Sequence, residues 1–292
     1  MTRTSFLMGL IGTGIGRSLS PELHEREADR HQVRCLYRLL DLGGAKRHTA
    51  ENLHELLGAA RSLGFAGLNV THPVKQLVLP HLDRLAPTAA RVGAVNTVVF
   101  ADGAAVGHNT DGTGFAAALT RGLPDAPMRH VVQLGAGGAG SAVAHALLDL
   151  GAERVTVVDP AAGRARELAE ALNTDAGSER ARTCDAASLG TVLQEADGLV
   201  NASPVGTPAL PRLPLDPAAL HPGLWIVDIN YRPLRTPLLE AGRALGCRTL
   251  HGGGMLVHQA AGTFRLVTGL EPRTAHMLAD FADLTAGVRE HS

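Results

Sequence analysis

Val131-Val-Gln-Leu-Gly135-Ala136-Gly137-Gly138-Ala139-Gly140, followed at Val155-Thr-Val-Val-Asp159 by a second apolar run ending in an acid, decides the fold of this 292-residue chain. Three of the glycines stand in a G-x-G-x-x-G frame, with a β-type run before them and a helical pattern from Ser141 to Leu150 after. Each glycine has its own part in that frame. Gly135 makes the tight turn, Gly137 lets backbone approach a pyrophosphate, and Gly140 allows close helix–strand packing. The N–H groups of the new helix, with its positive dipole end, then hold phosphate. Asp159 follows Gly135 by 24 positions, near the roughly 20 expected of a dinucleotide site. Strand, glycines, helix, strand and acid in that order outweigh a Gly-rich structural turn.

Asp159 also bears on which dinucleotide is bound. A carboxylate at the end of the second strand accepts from the adenine ribose hydroxyls and repels a 2′-phosphate. The reading is NAD, with NADP the lesser alternative because Arg164 and Arg166 follow within a turn. A bland role for Asp159, capping a helix before Pro160, is compatible with this one.

Hydrophobic content of 45% and charged content of 19% describe a globular protein long enough for two cores. A formal net charge of −1 gives no reason to expect nucleic acid or an anionic membrane as partner. Cys35, Cys184 and Cys247 form neither a disulfide framework nor a zinc motif, which fits a reducing cytoplasm. The apolar run after Met1 is too short for a signal peptide, and no stretch of the chain suits a membrane span. The fourteen histidines lack metal-site spacing, so no metal is expected.

Along the chain, strands are expected at Phe6–Ile11, Leu36–Leu40 and Gly67–Val70, with helices at Pro21–Arg30 (Ser20 as N-cap), Thr49–Leu63 and Val74–Leu79. Val95–Phe100 and Ala104–His108 flank Asp102-Gly103, a two-residue hairpin signal. A helix at Phe115–Arg121 leads into the glycine loop. Beyond Asp159 come helices at Ala161–Leu172, Ala187–Glu195 and Pro237–Leu245, and strands at Gly198–Asn201, Trp225–Ile229 and Arg248–Leu250. Met255–Val267 and Thr274–Val288 read as terminal helices.

Three clusters outside the glycine loop carry polar groups that plain loops do not need. Ser18-Leu-Ser20-Pro21-Glu-Leu-His24 places two hydroxyls at a helix N-terminus, suited to a carboxylate, although Ser20 alone would serve as a cap. Asn69-Val-Thr71-His72-Pro73-Val-Lys75 sets amide, hydroxyl and ammonium groups at a strand's carboxyl end, where α/β sheets bind ligands. Ala94-Val-Asn96-Thr97 and Asn109-Thr-Asp111-Gly complete the set, with helix capping the plain alternative for Asp111.

In order, spacing and residue type, these clusters, with Gly-Ala-Gly-Gly-Ala and Gly254-Met255-Leu-Val-x-Gln259-Ala, resemble the shikimate dehydrogenase family. The chain is most similar to its NAD-using quinate/shikimate branch through Asp159-x-x-x-x-Arg164. The resemblance implies two α/β domains with a cleft between them. The substrate domain would span residues 1–112, completed by helices of 254–292, and a Rossmann-type doubly wound NAD domain residues 113–253. It implies oxidation of a ring hydroxyl of a small cyclic hydroxy acid, shikimate or quinate, to the 3-dehydro ketone. Lys75 and Asp111 would be the catalytic pair and Ser18 and Ser20 would bind the carboxylate. Asn69, Thr71, Asn96 and Gln259 would bind ring hydroxyls, with Tyr231 closing the carboxylate side. Gly135 to Gly140, Asp159, Arg164, Asn201, Ala202, Gly252 and Met255 would hold the cofactor. Gly252-Gly-Gly-Met255 and Ser20 follow the biosynthetic pattern and lean toward shikimate; an aminoshikimate-type substrate stays open. A non-catalytic NAD(H) sensor would need neither Lys75 nor Asp111, and a folate-interconverting dehydrogenase would not need Ser18-Leu-Ser20-Pro21. A monomer or a homodimer is expected.

Overall fold

The protein is described by a computed structural model, here over residues 4–43 and 50–286. Its chain divides into two compact units, Met1–Thr110 with Val257–Ser292, and Asp111–Leu256. The second unit thus takes Asp111 and Gly112 at one crossing of the chain and 254–256 at the other.

The first unit opens with β1 (Ser5–Gly12), α1 (Ser20–Arg30), β2 (Arg34–Asp41), α2 (Ala50–Ser62) and β3 (Gly67–Val70). It continues with β4 (Arg84–Leu85), α3 (Pro87–Val92), β5 (Thr97–Ala101) and β6 (Ala104–His108). Its mixed sheet has the order β2-β1-β3-β5-β6-β4. β2, β1 and β3 are parallel, and β5 runs antiparallel to both β3 and β6. The β5–β6 hairpin turns at Asp102 (φ 51°) and Gly103 (φ 76°), two left-handed residues as the Asp-Gly pair requires. Ile11, Leu53, Leu68 and Val98 are fully enclosed in its core.

The second unit comprises α4 (Asp111–Gly122), β7 (His130–Leu134), α5 (Gly138–Asp149), β8 (Arg154–Val158), α6 (Ala162–Ala176), β9 (Ala181–Thr183) and α7 (Leu189–Gln194). It ends with β10 (Gly198–Asn201), β11 (Trp225–Asp228), α8 (Pro237–Ala244) and β12 (Arg248–His251). The all-parallel sheet, in the order β12-β11-β10-β7-β8-β9, reverses direction at β7, the doubly wound arrangement that puts its ligand crevice beside the first βα turn. Buried on both faces, its central strands β7, β10 and β11 read as apolar runs. α9 (Gly253–Thr268) carries the chain back, and α10 (Thr274–Ala286) closes the described part of the first unit.

Four local expectations need correction. Ser20 is the first residue of α1 rather than its cap; Leu19 holds the cap position, with no side-chain hydrogen bond. The stretch 74–79 forms turns and a short 3-10 helix, Leu79–His81, in place of an α-helix. Pro73 and Pro80 flank most of this stretch, and Pro80, which has no N–H, cannot supply the donor that a continuing α-helix would need there. Asp159 does not cap α6; Ala161 takes that place. The polar segment after α6 contains β9, and β4 and α3 occupy a stretch that carried no expected element. Thr49, Gly287 and Val288 lie outside the described residues.

Candidate active site

In the first unit, β1 and β3 end side by side, with Ile11 opposite Val70. The loops leaving them carry two of the three polar clusters. Gly12 must lack a side chain because a Cβ there would collide with Thr71 Cγ2, and Thr13 N–H donates to the His72 carbonyl at 3.2 Å. The serine loop is therefore seated against Thr71. Ser18 Oγ donates to Ser20 Oγ at 3.1 Å and accepts from Ser20 N–H at 3.2 Å, so the two hydroxyls sit together at the N-terminal end of α1. Hydroxyl donors combined with free helix N–H groups suit an anion.

The third cluster is tied to the second through backbone. Val95 N–H donates to the Lys75 carbonyl at 2.9 Å, which fixes Lys75 beside the Asn96 segment. Gln259, on α9, brings Oε1 to 3.4 Å from Asn96 Nδ2. Asn69 is held within this network at both ends of its amide. Its Nδ2 faces the Asn96 carbonyl, Thr97 Oγ1 and Thr263 Oγ1 at 3.0–3.2 Å, and its Oδ1 accepts from Tyr37 Oη at 2.8 Å. Its Oδ1 keeps a second lone pair, so the amide can still accept a hydrogen bond from a ring hydroxyl. Tyr37, Thr97 and Thr263 were not singled out as site residues, and a tyrosine that reaches an asparagine across the strand between them gives no local signal.

Beneath the serine loop, His24 is fully buried and its ring lies 4.9 Å from that of Tyr37. Its Nδ1 meets the Ser20 carbonyl at 2.8 Å and so carries the proton, because a carbonyl only accepts. Burial lowers its pKa to about 4, against a smaller opposing effect of that hydrogen bond, so the ring is neutral at pH 7.

In the second unit the glycines of the loop differ in what surrounds them. Gly135 has φ 99°, and a Cβ on it would sit 2.7 Å from the Ala202 carbonyl oxygen. A Cβ at Gly140 would collide with the Gly135 carbonyl, whereas Gly137 faces open space at the head of α5, where Gly138 and Ala139 form its first turn. Gln133 clamps the loop: Nε2 donates to the Gly135 and Gly140 carbonyls, both at 2.9 Å. The polar Gln133 within an apolar strand was a readable signal that sequence reasoning did not use. Asp159 accepts from Ala136 N–H at 2.9 Å and from Ala161 N–H at 2.8 Å. Each carboxylate oxygen keeps a further lone pair for a hydroxyl. An open N–H cradle with a carboxylate at its rim fits a dinucleotide.

Asn201, ending β10, donates to Asp228 Oδ2 at 3.1 Å and accepts from the Ser203 hydroxyl at 2.6 Å. Asp228 also accepts from Thr236 Oγ1 and Asn230 N–H, pinning both ends of the loop that bears half-buried Tyr231. Burial raises its pKa, with those donors opposing. Gly252 has backbone of Ile229 where a Cβ would go, and Met255 is buried. Arg164 is exposed in the first turn of α6, and buried Asp111 is the first residue of α4, next in the chain after Thr110. Among the described residues, no cluster of three or more His, Cys, Asp or Glu could hold a metal, and no helix is long and apolar enough to cross a membrane.

Doubly wound sheet and phosphate cradle, joined in one chain to a mixed-sheet unit rich in hydroxyls and amides, define the class: a two-domain α/β enzyme of pyridine dinucleotides. Residues 10–98 match the shikimate dehydrogenase substrate binding domain, and 131–213 a saccharopine dehydrogenase NADP binding domain. A shikimate dehydrogenase (NADP(+)) of Streptomyces avermitilis is 59% identical over 99% of this chain and 100% of its own. A quinate/shikimate dehydrogenase (NAD(+)) of Corynebacterium efficiens is 48% identical over 97% and 100%. The quinate dehydrogenase of Corynebacterium glutamicum, solved in complex with NAD, superposes with a TM-score of 0.88 at 45% identity, covering 96% of this chain and 100% of that one. The chain belongs to the shikimate/quinate dehydrogenase family of pyridine-nucleotide oxidoreductases.

Proposed function

We propose that this enzyme catalyses NAD-dependent, reversible oxidation of a ring hydroxyl of shikimate, and to a lesser degree quinate, to the 3-dehydro ketone. The observation that carries the reading is the joining of three separate clusters at one sheet edge, through the Gly12–Thr71 approach and the Val95–Lys75 hydrogen bond. Ser18 and Ser20 with the head of α1 take the substrate carboxylate, and Tyr231 closes over that side. Asn69, Thr71, Asn96 and Gln259 take ring hydroxyls, an arrangement that rejects analogues lacking them. As the alcohol is oxidised its proton must leave, and Lys75 with Asp111 receives it; a positioned base contributes about 10²–10⁴ in rate. The nicotinamide, when bound, supplies the hydride acceptor. Gly135 to Gly140 and the head of α5 hold its phosphates, Asp159 and Arg164 the adenosine ribose, and Asn201, Ala202, Gly252 and Met255 border the nicotinamide side.

The preference for NAD rests on the Asp159 carboxylate, which a 2′-phosphate would meet as a like charge. A second reading, NADP, is favoured by exposed Arg164 and Arg166 and by the NADP(+) relative from Streptomyces. The enzyme acts in the cytoplasm on a small-molecule substrate, as a monomer or homodimer. Initial rates with shikimate, quinate and aminoshikimate at saturating NAD test the substrate assignment. Shikimate should give the highest kcat/KM; turnover of aminoshikimate alone would overturn it, and turnover of none would leave a nucleotide-binding sensor.

A further inference from the structure

The hydrogen bonds behind the substrate edge have a direction, and it can be followed atom by atom. Tyr37 Oη–H donates to Asn69 Oδ1 at 2.8 Å. Asn69 is thereby oriented with Nδ2 toward Thr263 Oγ1 at 3.0 Å and Thr97 Oγ1 at 3.2 Å. Thr97 gives its single hydroxyl hydrogen to Asn96 Oδ1 at 3.0 Å, an amide oxygen that only accepts. In the 2.8 Å contact between the Thr97 and Thr263 hydroxyls, Thr263 is therefore the donor. Asn96 Oδ1 also receives Thr110 N–H at 2.9 Å, which turns Nδ2 toward Thr110 Oγ1 at 2.8 Å and Gln259 Oε1 at 3.4 Å. The Thr110 hydroxyl in turn donates to the Gln259 carbonyl at 3.1 Å.

We propose that Tyr37 and Thr263 are positioning residues that, through Asn69 and Thr97, reinforce the Asn96 orientation held by Thr110 N–H, so that Gln259 faces substrate with its N–H donors. This deepens the reading of the substrate edge given above and rests on it. The group recognised by Gln259 must then be an acceptor, which a ring hydroxyl or the ketone oxygen of the product satisfies. Without the Tyr37 hydroxyl, only the Asn96 main-chain carbonyl, 3.2 Å from Nδ2, is left to distinguish the Asn69 nitrogen from its oxygen. A flipped Asn69 would offer oxygen to Thr97 and Thr263 and withdraw the Thr97 hydrogen from Asn96. Networks of this kind act as units, because each buried group depends on its neighbour being satisfied.

Tyr37→Phe, Thr263→Val and Thr263→Ser, each prepared as the full chain, separate this from simple packing. Tyr37→Phe and Thr263→Val should raise KM for the cyclic acid about tenfold, with KM for the dinucleotide within about twofold of wild type. Thr263→Ser, which keeps the hydroxyl, should restore the wild-type KM. In protein labelled with 15N-asparagine, Tyr37→Phe should shift the side-chain amide signals of both Asn69 and Asn96. Failure of Asn96 to shift, equal impairment in Thr263→Ser and Thr263→Val, or a parallel rise in both KM values would overturn the proposal. If wild type turns over neither shikimate nor quinate, the functional reading falls, and the Asn96 signal decides the relay by itself.

Discussion

The glycine loop of the second unit and the polar edge of the first recognise their ligands by opposite means. The loop presents backbone: N–H groups at the head of α5, glycines that keep side chains away, and one carboxylate held by the loop's own amides. The polar edge presents side chains supplied by β3, by three loops and by α9, several of them, such as Asn69, Asn96 and Ser18, oriented by another side chain. Backbone recognition is local, so it is carried by a short motif with fixed spacing and is insensitive to which residues surround it. Side-chain recognition is assembled by topology, so a change far from the ligand reaches it through the network. The two regions should therefore respond to substitution in different kinetic constants.

The largest separation should come from Lys75→Ala, with kcat lowered by about 10²–10⁴ and dinucleotide affinity measured by fluorescence titration unchanged. A variant keeping more than about a tenth of wild-type kcat would remove Lys75 from proton transfer and leave His72 or His108 as the base. The next effect is on stability, through His24. Its folded pKa lies below that of the unfolded chain, so the unfolded state binds the proton first as pH falls. Its contribution is complete above about pH 6.5 and drains away toward pH 4, a loss on the order of 3 kcal/mol. Urea denaturation between pH 7 and 4 should show this slope, and His24→Leu should flatten it; equal slopes would mean that other groups carry the acid sensitivity.

Smaller changes test each region at its ligand face. Gly137→Leu, at a position with open space and extended backbone, should leave Tm nearly unchanged while raising KM for the dinucleotide about thirtyfold, with acid binding intact. A fall in Tm without a change in that KM would make Gly137 a folding residue. Ser18→Ala with Ser20→Ala should do the converse, raising KM for the acid about tenfold with the dinucleotide unaffected. Wild-type KM in the double variant would make the pair a structural feature of the loop.

The same contrast explains what the sequence could disclose. Apolar periodicity marked β1, β3, β7 and β10 because their residues are buried on both faces. β4, two exposed residues, and β9, a three-residue edge strand, bury too little to leave a pattern. The apolar residues at 74 and 78 mimicked a helix, yet both are simply buried along a chain bracketed by two prolines. Within the site, the glycine frame announced itself, as did the serine pair. The Asn69 motif names the residue and not the neighbour that orients it; only the pairing of β2, β1 and β3 puts Tyr37 within reach of it.

The most direct test of the reaction and its cofactor is kcat/KM of the wild-type enzyme for shikimate and quinate, each with NAD and with NADP. Turnover of at least shikimate is expected, with NAD preferred over NADP by about tenfold or more, equivalent to about 1.4 kcal/mol. Asp159→Ser should narrow that gap, since Arg164 and Arg166 are left to meet the phosphate. Turnover of neither acid would contradict the reaction, and equal or better rates with NADP would contradict the role given to Asp159.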